Sequence, residues 1–171
     1  MNCKICGKKA AVSTPFGEKH YCDKHFLESI EKRIRKNIRI NNPLDIRKSY
    51  SIKAQSEEHK ILANKVLDRI FKGRLKITGK SKNIILAKSL DLEAENFMED
   101  FFKGRKSNQN QFPNIFGSVI EKELHEIARI LKIRLKSRKD KTFLGKLEKM
   151  YPGTLFSVSK SRDFVIKKIK K

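Results

Sequence analysis

The placement of its cysteines constrains this chain more than any other feature. There are three in 171 residues, all within the first 22, and a histidine follows to give Cys3-x2-Cys6-x15-Cys22-x2-His25. An odd number of thiols with none downstream cannot build a disulfide framework, so metal binding is the better use for them. Two-residue spacing lets a pair of donors converge from one tight turn, and thiolate with imidazole is the set that zinc takes in tetrahedral sites. Gly7, directly after Cys6, suits such a turn because it reaches positive φ without a Cβ clash. The pattern predicts one structural zinc on Cys3, Cys6, Cys22 and His25, with all four positions filled by protein atoms and none left for water. His20 competes for the fourth place, but two residues before Cys22 it cannot share a tight knuckle, and His25 is preferred.

The remainder reads as a small, charged, mainly helical domain. Phe26, Ile30, Ile34, Ile38 and Ile40 recur near the helical period between Lys32, Arg33, Arg35, Lys36 and Arg39, which predicts a basic amphipathic helix ending before Asn41-Asn42-Pro43. A second helix is expected over 52–72, with Ile61, Leu62, Val66, Leu67, Ile70 and Phe71 on one stripe and Gly73 as its stop. Asn83–Ala87 reads as a short strand and Asp91–Phe102 as a helix. Gly104–Asn114 is polar and without period, 118–131 is helical again, and Leu144–Tyr151 is a short helix closed by Pro152-Gly153. The fold class expected is α+β and α-rich: a zinc-knuckle module followed by a mostly helical domain with a small, incomplete α/β core. Its divisions are 1–27 for the zinc module, 28–50 for the basic helix and connector, 51–105 for the reduced α/β unit, 106–116 for a polar linker and 117–171 for a basic helical region. An incomplete sheet leaves an unpaired edge, which permits a homodimer.

Charge narrows the partner. Lys and Arg number 41 against 19 Asp and Glu, a net +22, and a chain that repels itself this strongly is expected to meet a polyanion. The densest run is Lys132, Arg134, Lys136, Arg138, Lys139 and Lys141, opposed only by Asp140. With no Trp and three Tyr there is little to stack single-stranded bases, so a reader of folded RNA shape fits better. No apolar run is long enough for a membrane span or a signal peptide, so the chain reads as cytoplasmic and without a membrane partner.

Catalytic patterns are missing. Gly73-Arg74-Leu75-Lys76-Ile77-Thr78-Gly79-Lys80-Ser81 approaches a phosphate-binding G-x4-G-K-[ST] loop but has five residues between its glycines, and a basic turn is expected instead. His59 and His125 fall on helices with no evident Ser or Cys nucleophile, and read as surface or half-buried side chains.

Four segments, in matching order, resemble tRNA 2-thiolation enzymes of the PP-loop ATP pyrophosphatase superfamily. The first is Cys3-x2-Cys6-Gly7-x2-Ala10 with Cys22-x2-His25-Phe26 running into a basic helix. The second, Ile85-Leu86-Ala87-Lys88-Ser89-Leu90-Asp91-Leu92-Glu93-Ala94, is similar to that family's G-H-N-L-D-D-E-A segment. The others are Glu121-Lys122-Glu123 and Leu147-Glu148-Lys149-Met150-Tyr151-Pro152-Gly153-Thr154, which resembles L-E-x-x-Y-P-G-T. The family also carries S-G-G-x-D-S after the basic helix, where a glycine-rich turn and a helix N-terminus bind the ATP pyrophosphate. Nothing between Asn42 and Ile61 resembles it, the family's two later cysteines and C-terminal zinc ribbon are absent, and its histidine and second aspartate are Lys88 and Leu92.

The resemblance therefore implies a degenerate relative that has lost the ATP site and keeps the zinc module and the basic regions expected to hold tRNA. The function expected is non-catalytic RNA binding, tRNA above all, through Lys32, Arg33, Arg35, Lys36 and Arg39 and through Lys132, Arg134, Lys136, Arg138, Lys139 and Lys141. Two alternatives remain open: a subunit of a thiolation complex, with an enzyme or sulfur-carrier partner supplying the ATP site, and a small basic zinc protein of the ribosome or of transcription.

Overall fold

A computed structural model of the chain describes residues 1–14, 19–41, 43–105, 112–136 and 143–169. Two short strands, β1 (Val12–Ser13) and β2 (His20–Tyr21), pair antiparallel and lead into α1 (Asp23–Asn41). Asp23 supplies a carboxylate to the first turn of α1 and Arg39 a cation to the last, both favourable to the helix dipole. Its buried stripe is Phe26, Leu27, Ile30, Ile34 and Ile38, as the periodicity predicts.

The centre is an α/β unit reduced to three parallel strands in the order β4-β3-β5, with β3 spanning Ser49–Ala54, β4 Lys76–Ile77 and β5 Ile84–Ala87. Ser49 pairs with Lys76, and Ser51 through Ala54 pair with Ile84 through Ala87. Between β3 and β4 runs α2 (Glu57–Phe71), capped by the Ser56 hydroxyl at its start and by Lys72 in the left-handed conformation at its end. The helix expected over 52–72 is thus shorter at its start, because 52–54 belong to the central strand. After β5, Ser89 caps α3 (Leu90–Phe102).

Residues 106–116 were expected to link two parts, yet their end lies in the core. Ile115 and Phe116 are fully buried, Asn114 bridges Leu86, and Leu86 N–H donates to Pro113 O at 2.7 Å. The Asn114 side chain also bonds both the N–H and the C=O of Lys88, at 3.0 and 2.9 Å, so an amide in a polar stretch finishes the edge beside β5. Then come α4 (Glu121–Ile130), α5 (Phe143–Met150) and α6 (Thr154–Ile169). Leu124, Ile127 and Ala128 of α4 join the main core with α1, α2 and the sheet, while Leu90, Ala94, Ile120, Leu144 and Leu155 form a second cluster between α3, α5 and α6. Among the described residues no helix is long and apolar enough to cross a membrane.

Candidate functional site

The first knuckle forms because the chain turns tightly after Cys3. Gly7 N–H donates to Cys3 O at 2.9 Å, Cys3 N–H to Lys8 O at 2.7 Å, and Gly7 sits at φ +69°, where a Cβ would be strained. The β1–β2 hairpin returns the chain beside this turn through Lys4 N–H to His20 O at 2.9 Å. Cys22 then immediately precedes α1, and Phe26 N–H to Cys22 O at 2.9 Å winds the first helical turn so that His25 faces the thiols. The result is a closed group. Cys3 Sγ and Cys22 Sγ lie 3.4 and 3.3 Å from His25 Nδ1, Cys6 Sγ lies 3.8 Å from Cys22 Sγ, and all four donor atoms fall within 4.8 Å of one another. His20 is elsewhere, with its Nδ1 2.8 Å from Ser13 Oγ on the hairpin.

The electrostatics of the group call for a cation. Burial acts to raise the Cys3 thiol, but backbone N–H groups of Cys22, Ile5 and Cys6 and the His25 ring outweigh it and bring it down to about 5. At Cys6 the Lys8 N–H acts to lower the pKa, while burial and the adjacent Cys3 and Cys22 sulfurs overcome it and leave it raised. Thiolates this close cannot all ionise without a positive ion between them, so the four residues could hold a metal.

No family model matches the chain. Among curated proteins it is 43% identical over 44 residues to the tRNA 2-thiolation protein NcsA of Haloferax volcanii, a segment covering 26% of this chain and 14% of that protein. Among solved structures it superposes on the U34-tRNA thiolase NcsA from Methanococcus maripaludis, determined with its [4Fe-4S] cluster, at TM-score 0.76 and 12% identity over 98% of this chain and 87% of that one. The fold is NcsA-like. The resemblance read from the four segments is thereby supported in sequence and in architecture, with the curated sequence match limited to about one seventh of that relative's length.

The turn after the central strand lies in the stretch, Asn42 to Ile61, where the sequence lacks a glycine-rich loop. The residues between β3 and α2 make a strand-to-helix turn, but they read Ala54-Gln55-Ser56-Glu57-Glu58, without glycine and with two carboxylates in the first helical turn. Beneath it lies His59, 4% exposed rather than at the surface. The His59 ring lies 2.9 Å from Ser56 Oγ through Nδ1 and 3.2 Å from Glu121 Oε1 through Nε2, and it also contacts the Gln55 amide. Ser56 therefore stands close to a histidine, a relation the sequence does not display, but its hydroxyl also accepts His59 N–H as the α2 cap, a structural use.

Asp91 completes this network by accepting Glu121 N–H at 2.6 Å, which joins the starts of α3 and α4. Burial pushes the Asp91 carboxyl up to about 6, helped by the charges of Glu121 and Glu95 and opposed by the Glu121 N–H. At Glu121 burial acts upward, but the His59 and Ser89 hydrogen bonds and the nearby imidazoles overcome it, and its pKa is lowered.

The basic residues singled out from the sequence divide. On α1, Lys32, Lys36 and Arg39 are exposed, whereas Arg33 is committed to the buried carboxylate of Glu123 and Arg35 bonds Glu31 at 3.3 Å. Lys132, Arg134 and Lys136 are exposed, and among the described residues only Lys136 has a carboxylate close by, Glu58 at 3.6 Å. Arg138, Lys139 and Lys141 lie outside the described residues.

Proposed function

We propose that the chain is a zinc-containing, tRNA-binding cytoplasmic protein built on the thiolase fold, without ATP-dependent thiolation activity of its own. What supports this most is a single contrast: the NcsA-like architecture is kept, while the turn after β3 carries Glu57 and Glu58 in place of a glycine-rich phosphate cradle. Carboxylates at a helix N-terminus take the position an anion would need and repel it.

Zinc is favoured over a cluster by the donors. Zn–S bonds of about 2.3 Å and Zn–N bonds of about 2.0 Å in a tetrahedron separate the ligand atoms by roughly 3.5–3.8 Å, close to the 3.3–3.8 Å found between these sulfurs and the imidazole. A four-iron cluster puts each ligand on a different iron and needs a wider set. All three cysteines of the chain are already in this group, so no other thiols remain to hold one.

RNA contact falls in this reading to Lys32, Lys36 and Arg39 on α1 and to Lys132, Arg134 and Lys136 after α4, joined by Arg138, Lys139 and Lys141, which follow in the sequence. Purified full-length protein should contain about one zinc per chain, bind a folded tRNA transcript in the presence of excess duplex DNA of equal length, and show no saturable binding of ATP with magnesium. Pyrophosphate or AMP release by the isolated chain would make it an enzyme and overturn the reading. Activity appearing only with a second protein would move it to a subunit of a thiolation complex.

A further inference from the structure

Parallel pairing puts the amino ends of β3, β4 and β5 on one edge of the sheet, and three separate stretches of sequence meet there. Arg47 and Lys48 immediately precede β3, Arg74 and Lys76 lead into and occupy β4, and Lys80 and Lys82 lie on the loop that returns to β5. All six side chains are exposed. Among the described residues none of them has an ion pair, and the Arg74 bond to Phe71 O at 3.3 Å is the one hydrogen bond found for a side chain of this set. This differs from Arg33, Arg69, Arg129 and Arg162, each of which is matched to a carboxylate of the fold. Two acids lie near these segments, Asp45 before β3 and Asp68 in α2. Asp45 accepts the N–H of Arg47 at 3.0 Å, and Asp68 lies beside Gly73.

The loop bearing Lys80 and Lys82 is held in place. Ser81 Oγ donates to Ser49 O at 2.6 Å, Ser51 Oγ to Ser81 O at 3.0 Å, Asn83 Nδ2 to Ser49 O at 3.0 Å, and Thr78 N–H to Tyr50 O at 2.7 Å. The chain between β4 and β5 is thus tied to the amino end of β3 on both sides. This is the segment that nearly reads as a phosphate loop. Here it curls around a strand edge instead of opening a helix, so its cations are exposed and little backbone ordering entropy is left to lose on binding.

We propose that this edge is a third phosphate-contact surface for folded RNA, formed by Arg47, Lys48, Arg74, Lys76, Lys80 and Lys82. It rests on the RNA-binding reading above and adds to it a face that neither of the two basic runs in the sequence contains. Neighbouring strands stand about 4.8 Å apart, so three of them spread these cations over roughly 10 Å, wide enough to meet more than one phosphate of a backbone. Little aromatic surface accompanies them, which fits backbone contact rather than base stacking.

The test compares the full-length parent with Lys76→Gln/Lys80→Gln/Lys82→Gln, three side chains without internal partners, for binding to a tRNA transcript across a salt series. The variant should bind at least tenfold more weakly near 0.15 M salt, and the slope of log affinity against log salt should fall by about 2 to 3, one step per lost phosphate. In the parent, bound tRNA should also protect Lys76, Lys80 and Lys82 from acylation read by mass spectrometry. If the parent binds tRNA and the variant keeps its affinity and slope, or these lysines stay unprotected, the edge is not a contact surface while the RNA-binding reading stands. If the parent binds no tRNA, both fail. If duplex DNA or anionic vesicles protect the three lysines as well as tRNA does, RNA is not the ligand of this edge.

Discussion

Two polar clusters of this molecule answer the same physical problem in opposite ways. At the N-terminus, three thiols and an imidazole crowd together within 4.8 Å, a donor set that could hold a metal ion, since neighbouring thiolates repel one another unless a cation balances them. At the carboxyl end of the sheet, Ser56, His59, Glu121 and Asp91 supply donors and acceptors to one another and to two helix starts. The first cluster is suited to a ligand from outside; the second takes most of its bonds from within, with Glu121 Oε2 left without a hydrogen-bond partner among the described residues, and uses those bonds to fix α2, α3 and α4 together. One fold thus carries a polar cluster open to an ion and another whose bonds tie helices together.

The largest expected effect comes from removing a metal ligand. Cys22→Ser should lose the ion and unfold the 1–25 module, a loss of several kcal/mol, because a hydroxyl does not replace a thiolate on zinc. Metal content measured on the purified variant together with its thermal midpoint checks this. Retention of a full equivalent of zinc would mean that the cluster is not the site. A strong chelator should lower the parent's midpoint and leave the variant's unchanged.

The internal network should respond to charge rather than to metal. Asp91 is pushed up to about 6 in the folded protein from an unfolded value near 3.8, so the folded state binds the proton more tightly. That contribution is fully present below about pH 4 and is lost as pH rises through about 6. Near pH 7 the buried charge then costs roughly 2 kcal/mol, after allowing for the favourable helix start beside it. Asp91→Asn, which can still accept the Glu121 N–H, should raise the midpoint by about 4–8 °C near pH 7 and by little near pH 4. A variant less stable than the parent at pH 7 would mean that the ionised carboxylate earns its place. In a third substitution, Glu123→Ala should cost about 2–3 kcal/mol, since it strips Arg33 of its partner and Ile120 N–H of its acceptor at 3.2 Å.

The difference between the clusters also explains what could be read in advance. Candidate metal ligands advertise themselves through residue type and spacing, and α1 through its period, so the gathering of Cys3, Cys6, Cys22 and His25 and the stripe Phe26–Ile38 were legible. β3 was not, because Ser49-Tyr50-Ser51-Ile52-Lys53-Ala54 buries only Tyr50 and Ile52, too few apolar residues to separate its alternation from the helical run that follows. Asn114–Phe116 looked like the end of a linker because the features that draw it into the core are a bridge to Leu86 and a side-chain amide on Lys88, both remote in sequence. Helix α6 hid behind Pro152-Gly153, which ends α5 but also starts α6: the Glu148 carboxylate accepts both Gly153 N–H at 2.9 Å and Leu155 N–H at 2.8 Å. The His59 network shares this difficulty, since its members lie 32 and 62 residues from His59 and meet only after the sheet has formed.

The smallest effect on stability should come from the exposed cations of α1, which take part in neither cluster. Lys32→Gln/Lys36→Gln/Arg39→Gln removes three charges that have no ion pair among the described residues, and in a chain of net +22 it also relieves self-repulsion. The midpoint should move by no more than about 0.5 kcal/mol equivalent, in either direction. Binding should behave otherwise: if these side chains meet phosphates, the salt slope for tRNA falls by about 3 while the preference over duplex DNA survives, because phosphate contacts carry affinity and shape carries the choice. Arg33→Gln is the internal control. Its guanidinium is committed to Glu123, so it should lower stability and leave the salt slope within about one unit of the parent. A variant of Lys32, Lys36 and Arg39 that binds as tightly as the parent, with an unchanged slope, would make the outer face of α1 a solvated surface and leave RNA contact to the other basic faces.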